Sequence, residues 1–185
     1  MRVIAGRLRG RALRAPQGAS TRPTTDRVRE ALFSVLGELT GEVVLDLYAG
    51  SGALGIEALS RGADRAVFVE CGRGAQSAIR ENITRLDLSQ RTELLTLRVE
   101  RARDALVQRG PFGVVFCDPP WDAVPTVLGR LPGLLSRPVV QSGSVLVLEH
   151  SSRHASFIPH DVVGPMFDQR TYGDTTLTLF SVDAV

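Results

Sequence analysis

The chain has 185 residues, of which 43% are hydrophobic, enough for one domain with a substantial core. No apolar run approaches membrane-spanning length and no leader-like stretch follows the first arginines, so a soluble, unexported, cytoplasmic protein is expected. The net charge of +2 hides an asymmetry, because residues 1–29 carry eight arginines against one acid, Asp26, whereas the remainder holds 14 arginines against 19 acids. Cys71, Cys117 and the three histidines form no metal-ligand pattern, so no metal is expected.

In chain order, residues 2–5 and 11–15 read as a short basic β-hairpin turning at 6–10, and residues 16–23 as a loop. Thr24 or Thr25 caps a helix running to about Leu36, with Asp26 favourable in its first turn. Three βα units follow, with strands near 43–48, 65–70 and 92–98 and helices near 53–61, 73–87 and 100–109. A fourth strand at 112–117, a helix near 124–135 and a fifth strand at 144–149 continue the alternation. Strands near 162–171 and 175–182 form a terminal hairpin around Tyr172-Gly173-Asp174. The predicted fold is a single α/β domain with a doubly wound, mainly parallel, Rossmann-like sheet, a C-terminal antiparallel hairpin and the N-terminal basic hairpin as an extension.

Two motifs carry chemistry. After the apolar run Val43-Val44-Leu45 comes Asp46, then Gly50-x-Gly52-x-x-Gly55. Gly50 and Gly52 let the backbone turn and approach a ligand, and Gly55 allows close packing of helix on strand. Alone this pattern fits a dinucleotide fold equally well. Glu70, twenty residues after Gly50 at the end of the next strand, is placed to take both ribose hydroxyls of an adenosine-type cofactor. Asp46 is a charge for a cationic ligand or, on the other reading, a buried carboxylate that caps its own loop.

The second motif is Asp118-Pro119-Pro120-Trp121, at the end of the fourth strand. An amine conjugated to an aromatic ring is a poor nucleophile, and it needs acceptors around its hydrogens and a flat surface for its plane. The Asp118 carboxylate and Pro119 carbonyl are the acceptors and Trp121 the surface, while two prolines remove competing backbone donors. Hydride transfer has no use for this motif, which tilts the cofactor from a nicotinamide to S-adenosylmethionine. Ligands of such folds bind outside the carboxyl ends of the strands, where Asp46, Glu70 and Asp118 all fall.

The stretches Arg22-Pro23-Thr24-Thr25-Asp26-Arg27-Val28-Arg29-Glu30-Ala31-Leu32-Phe33, Asp46 to Ala63, Asp118 to Trp121 and Tyr172-Gly173-Asp174-Thr175 resemble the bacterial 16S ribosomal RNA guanine-N2 methyltransferase (RsmD) family, of the class I S-adenosylmethionine-dependent enzymes. The resemblance implies a cofactor site of Thr24, Asp46, Tyr48, Ala49, Gly50, Ser51, Gly52, Gly55 and Glu70. Glu100, Arg101 or Asp104 would meet the adenine edge. It implies catalysis at Asp118, Pro119, Pro120 and Trp121 on the exocyclic N2 amine of a guanine in 16S rRNA, within a partly assembled small subunit, by an enzyme expected to be a monomer.

The basic arm, with Arg7, Arg9, Arg11 and Arg22, is then the expected contact to RNA phosphates. For an arbitrary protein the same arm would be a solvated surface. A DNA adenine or cytosine N-methyltransferase shares the chemistry but generally needs a target-recognition region, for which little sequence remains. A protein glutamine N-methyltransferase would leave the arm without a purpose. A non-catalytic RNA-binding assembly factor would have no need of Asp46, Glu70 and Asp118 together.

Overall fold

A computed structural model describes residues 1–16 and 25–183. The chain divides into two compact units, Met1–Val99 and Glu100–Val185. In the first unit, α1 (Asp26–Leu36) precedes β1 (Val43–Leu47), α2 (Ala53–Ser60), β2 (Arg65–Val69), α3 (Arg73–Arg85) and β3 (Thr92–Leu95). The three strands are parallel in the order β3-β2-β1, with Leu47 opposite Val69 and Val69 opposite Leu95. Thr25 caps α1, its Oγ1 accepting from the Val28 N–H at 3.3 Å. The helix stops at Gly37, whose φ of 72° a residue with a Cβ rarely adopts.

The second unit contains α4 (Arg103–Val107), β4 (Phe112–Cys117), α5 (Val124–Leu128), α6 (Leu131–Leu134), β5 (Val140–Ser151), β6 (Met166–Tyr172) and β7 (Thr175–Ser181). Its strands run β4-β5-β7-β6, the first pair parallel and the others antiparallel. With the all-parallel first unit, this gives an α/β fold of seven strands among the described residues, antiparallel at the C-terminus. No helix of the described residues is long and apolar enough to cross a membrane.

Five elements differ from the sequence reading, the simplest being β6, expected near 162–171 and beginning only at Met166. The expected strand at 92–98 ends at Leu95, because its partner β2 ends opposite it at Val69. The following helix shrinks to α4, behind a 3₁₀ turn at Val99–Arg101. The helix expected at 124–135 is two short ones, because Pro132 in the first turn of α6 has no N–H with which to continue α5. β5 begins at Val140 rather than 144 and carries an irregularity there. The Ser144 hydroxyl donates to Phe112 O at 2.8 Å and accepts from the Gln141 N–H at 3.2 Å, and Gly143 takes a φ of 89°.

The N-terminal arm pairs antiparallel around the turn at 6–10, the Val3 N–H donating to Arg11 O at 3.0 Å and the Leu13 N–H to Met1 O at 3.0 Å. A single antiparallel bridge, Arg2 with Ala12, closes a turn, and the arm is held by the rest of the first unit. Val3, Leu8 and Leu13 are buried, and the Leu8 N–H donates to Ser60 Oγ at 2.9 Å. Glu57, fully buried on α2, accepts from the Ile4 N–H at 2.7 Å and the Ala5 N–H at 3.0 Å, and pairs with Arg61 Nε at 2.8 Å. Arg61 in turn lies 4.9 Å over the Phe33 ring of α1. Burial on every face of α2, from Ala53 to Ser60, follows from this docking.

Glu57→Ala would leave two backbone donors and the Arg61 guanidinium without their acceptor. A loss of about 3 kcal/mol of stability is expected from breaking a buried pair of this kind. Urea unfolding should show it, and trypsin should cut the variant faster at Arg7 and Arg9. Unchanged stability together with unchanged cleavage would mean that Glu57 does not hold the arm.

Candidate cofactor loop and acceptor motif

In the first unit, the chain leaves β1 through Tyr48 (φ 59°) and makes two further left-handed residues, Gly50 (φ 57°) and Gly52 (φ 77°), before α2 begins. Three side chains hold this loop by its backbone. The Gly50 N–H donates to Glu70 Oε2 at 2.9 Å, the Ser51 carbonyl accepts from Asn82 Nδ2 at 2.9 Å, and the Gly55 N–H donates to Asp46 Oδ2 at 3.0 Å. Gly55 is obligatory on packing grounds, since a Cβ there would fall 2.4 Å from Phe68 Cε1. A Cβ on Gly50 would meet only Tyr48 O, at 3.9 Å, so the space beside that residue is open to a ligand.

Glu70 spans two loops, its other oxygen, Oε1, accepting from the Gly72 N–H at 2.7 Å. An ionised carboxylate has about four acceptor sites, so one backbone donor on each oxygen leaves room for a pair of hydroxyls. The open glycine turn and this acid fit the ribose and backbone of an adenosine-type cofactor. Asp46 behaves differently. It is 2% exposed, and its carboxyl lies beneath the loop as a cap. Burial pushes its pKa up from 3.8 to about 8; the Gly55 N–H opposes this and the Glu70 charge adds to it.

In the second unit, β4 delivers Asp118, half-buried, then buried Pro119 and exposed Pro120. Trp121 opens a 3₁₀ turn to Ala123, closed by the Ala123 N–H donating to Pro120 O at 2.8 Å. Cys117 lies opposite Leu148, and Ser151 opposite Thr175. The Tyr172-Gly173-Asp174 turn therefore sits at the same sheet edge as Asp118, fixed by the Ser152 N–H on Asp174 O at 2.8 Å. Of the three candidates for the adenine edge, Glu100 is paired with Arg130 at 3.2 Å, and Arg101 and Asp104 are exposed.

The arm arginines divide. Arg2 pairs with Asp26 at 3.4 Å and Arg14 Nε with Glu81 at 3.2 Å, while the Arg11 guanidinium donates to Arg85 O at 3.2 Å. Arg7 and Arg9 are exposed. Arg22 and Thr24 lie outside the described residues. Sequence reasoning missed Glu57 and Asn82. Their signal was a polar residue in a helix position flanked by core residues, as Asn82 is by Ala78, Ile79 and Ile83.

A gripped glycine turn after one parallel strand, an acid after the next and an acid-proline-proline-aromatic turn after β4 are the construction of class I S-adenosylmethionine-dependent methyltransferases. The chain belongs to the family described as Conserved hypothetical protein 95, whose profile matches residues 1–181. It is 44% identical over 123 residues to YlbH of Bacillus subtilis, a match covering 65% of this chain and 67% of that one. It is 41% identical over 123 residues to Ribosomal RNA small subunit methyltransferase D of Escherichia coli K12, covering 65% of this chain and 60% of that protein's length. Among solved structures, the yhhF protein of Escherichia coli superposes with a TM-score of 0.81 at 30% identity, covering 100% of this chain and 99% of that one.

The buried Asp46 makes stability depend on pH with a definite sign. Its proton is held more tightly in the folded chain than in the unfolded one, so its contribution is fully present below 3.8 and is lost as pH rises through about 8. The stability of wild type relative to Asp46→Asn should therefore fall across that window and level off above it. Urea unfolding of both proteins over a pH series checks this, and a constant difference would place Asp46 at an ordinary carboxylate pKa.

Proposed function

We propose that this chain methylates the exocyclic N2 amine of a guanine in 16S rRNA, using S-adenosylmethionine, with the small ribosomal subunit as its partner. The observation that carries the reading is Asp118-Pro119-Pro120-Trp121 at the carboxyl end of β4, in a chain whose β1 loop and Glu70 are built for an adenosine-type ligand. The name of the 41% identical Escherichia coli relative supports the choice of substrate.

The cofactor, when bound, supplies an electrophilic methyl on a sulfonium, and Gly50, Gly52 and Glu70 are the residues to hold its ribose and backbone. The chain's own work is at the acceptor. Asp118 and the Pro119 carbonyl accept from the two N–H bonds of the amine, so the nitrogen lone pair localises toward the methyl. As the nitrogen gains its methyl it must lose one proton, and Asp118 receives it or passes it to water. Trp121 stacks on a base that has left its own stack. The exposed Arg7 and Arg9, with Arg11 and Arg22, meet phosphates.

Asp118→Ala should lower the methyl-transfer rate about 100-fold or more while leaving cofactor affinity nearly intact, as expected for a lost transition-state acceptor. Single-turnover transfer of labelled methyl measures the first and calorimetry the second. The substrate itself is tested by mass spectrometry of ribosomal RNA from cells with and without this gene. An unchanged guanine methylation pattern would sink the reading.

Neutralising Arg7, Arg9 and Arg11 together should weaken RNA binding without altering the cofactor affinity of the free protein. Each lost phosphate contact should also flatten the dependence of log K on log salt by about 0.7–0.9. Salt titrations that coincide for wild type and triple variant would make the arm a solvated surface.

A further inference from the structure

The arm and the glycine loop share one side chain. Asn82 on α3 is 1% exposed, and its carboxamide is used from three sides. Oδ1 accepts from the Arg14 N–H at 2.7 Å, while Nδ2 donates to Arg14 O at 3.0 Å and to Ser51 O at 2.9 Å. The partners fix the orientation, because exchanging N and O would point the oxygen at two carbonyls. On an apolar helix face a polar group is costly unless satisfied, and this one is satisfied only by two segments 31 and 68 residues away. One of those segments is the end of the basic arm, and the other is the residue between Gly50 and Gly52. A second contact joins them, the Ser51 hydroxyl lying 3.8 Å from Met1 Sδ.

We propose that Asn82 is a positioning residue that couples the arm to the loop, so that RNA on the arm and cofactor on the loop tighten each other's binding. The inference rests on the reading that the arm meets RNA and the loop holds S-adenosylmethionine. Its physical basis is shared ordering. An arm fixed by phosphates holds Arg14 in register, and with it Asn82 and the Ser51 carbonyl. The loop then has less freedom to lose when the cofactor arrives. Linkage makes the effect reciprocal. A residue that only satisfied the core would contribute to stability without linking the two affinities.

The test measures the dissociation constant of tritiated S-adenosylhomocysteine, the demethylated product, which allows binding without turnover. Equilibrium dialysis is run with and without saturating small ribosomal subunits purified from cells lacking this gene. For wild type the subunits should lower the constant about 5-fold or more. For Asn82→Ala the ratio should collapse toward one, whatever happens to each affinity. A wild-type ratio of one, or a variant that keeps the wild-type ratio, overturns the proposal.

Amide exchange on the wild type covers the case in which the variant does not fold. There S-adenosylhomocysteine should slow exchange at Arg14 and along residues 2–13, and unchanged rates overturn the coupling. Subunits that fail to bind wild type at all would instead sink the RNA reading, leaving the exchange result to decide whether arm and loop are linked.

Discussion

A backbone carrying three left-handed residues within five positions, at Tyr48, Gly50 and Gly52, is held by backbone bonds of Ala49 and Gly52 and by side chains from elsewhere that satisfy its other polar groups. Glu70 from the end of β2 and Asn82 from α3 each bond a different point of the turn, and Asp46 from within β1 bonds the first turn of α2 that follows it. The geometry of the loop is thus an average over three elements. A shift of any one of them would be felt where the ligand is expected to sit. Phe68 adds a steric limit, since its ring occupies the space that a side chain at Gly55 would need.

The charge asymmetry of the chain acquires a structural meaning from the arm. Its arginines are not equivalent. Arg2 and Arg14 are tied to Asp26 and Glu81, and Arg29, fully buried, holds both Arg2 O and Asp26 Oδ1 at 2.7 Å. These pairs belong to the scaffold. Arg7 and Arg9, at the turn of the arm, are left for solvent or for an anion. Backbone N–H groups on Glu57 add to these anchors, and the turn itself stays charged and outward.

Much of this was legible in the sequence, and the reason is that local rules sufficed. The apolar run of β1, the glycine spacing, the Thr25 cap and the end of β4 at Cys117 are each decided within a few residues. Where local rules failed, the deciding partner lay far off in sequence. Strand β3 ends where its neighbour ends, and the early start of β5 depends on Ser144 reaching Phe112. Asn82 and Glu57 were hard to place for the same reason, since their partners in the arm are backbone atoms 68 and 53 positions away. Asp46 was legible as an acid near the end of the first strand, and its burial beneath the loop was not, because that depends on α2 folding back over it.

The docking of the arm also orders events during synthesis. Residues 2–14 leave the ribosome before the residues that hold them, for Ile4 waits on Glu57, 53 positions later, and Arg14 on Asn82, 68 positions later. Until α2 and α3 have formed, Val3, Leu8 and Leu13 have no core to enter, and α2 itself has no cover for its outer face. Contacts this distant in sequence form late, because their loop-closure entropy must be met before they return anything. The most basic segment of the chain is therefore made before the residues that dock it.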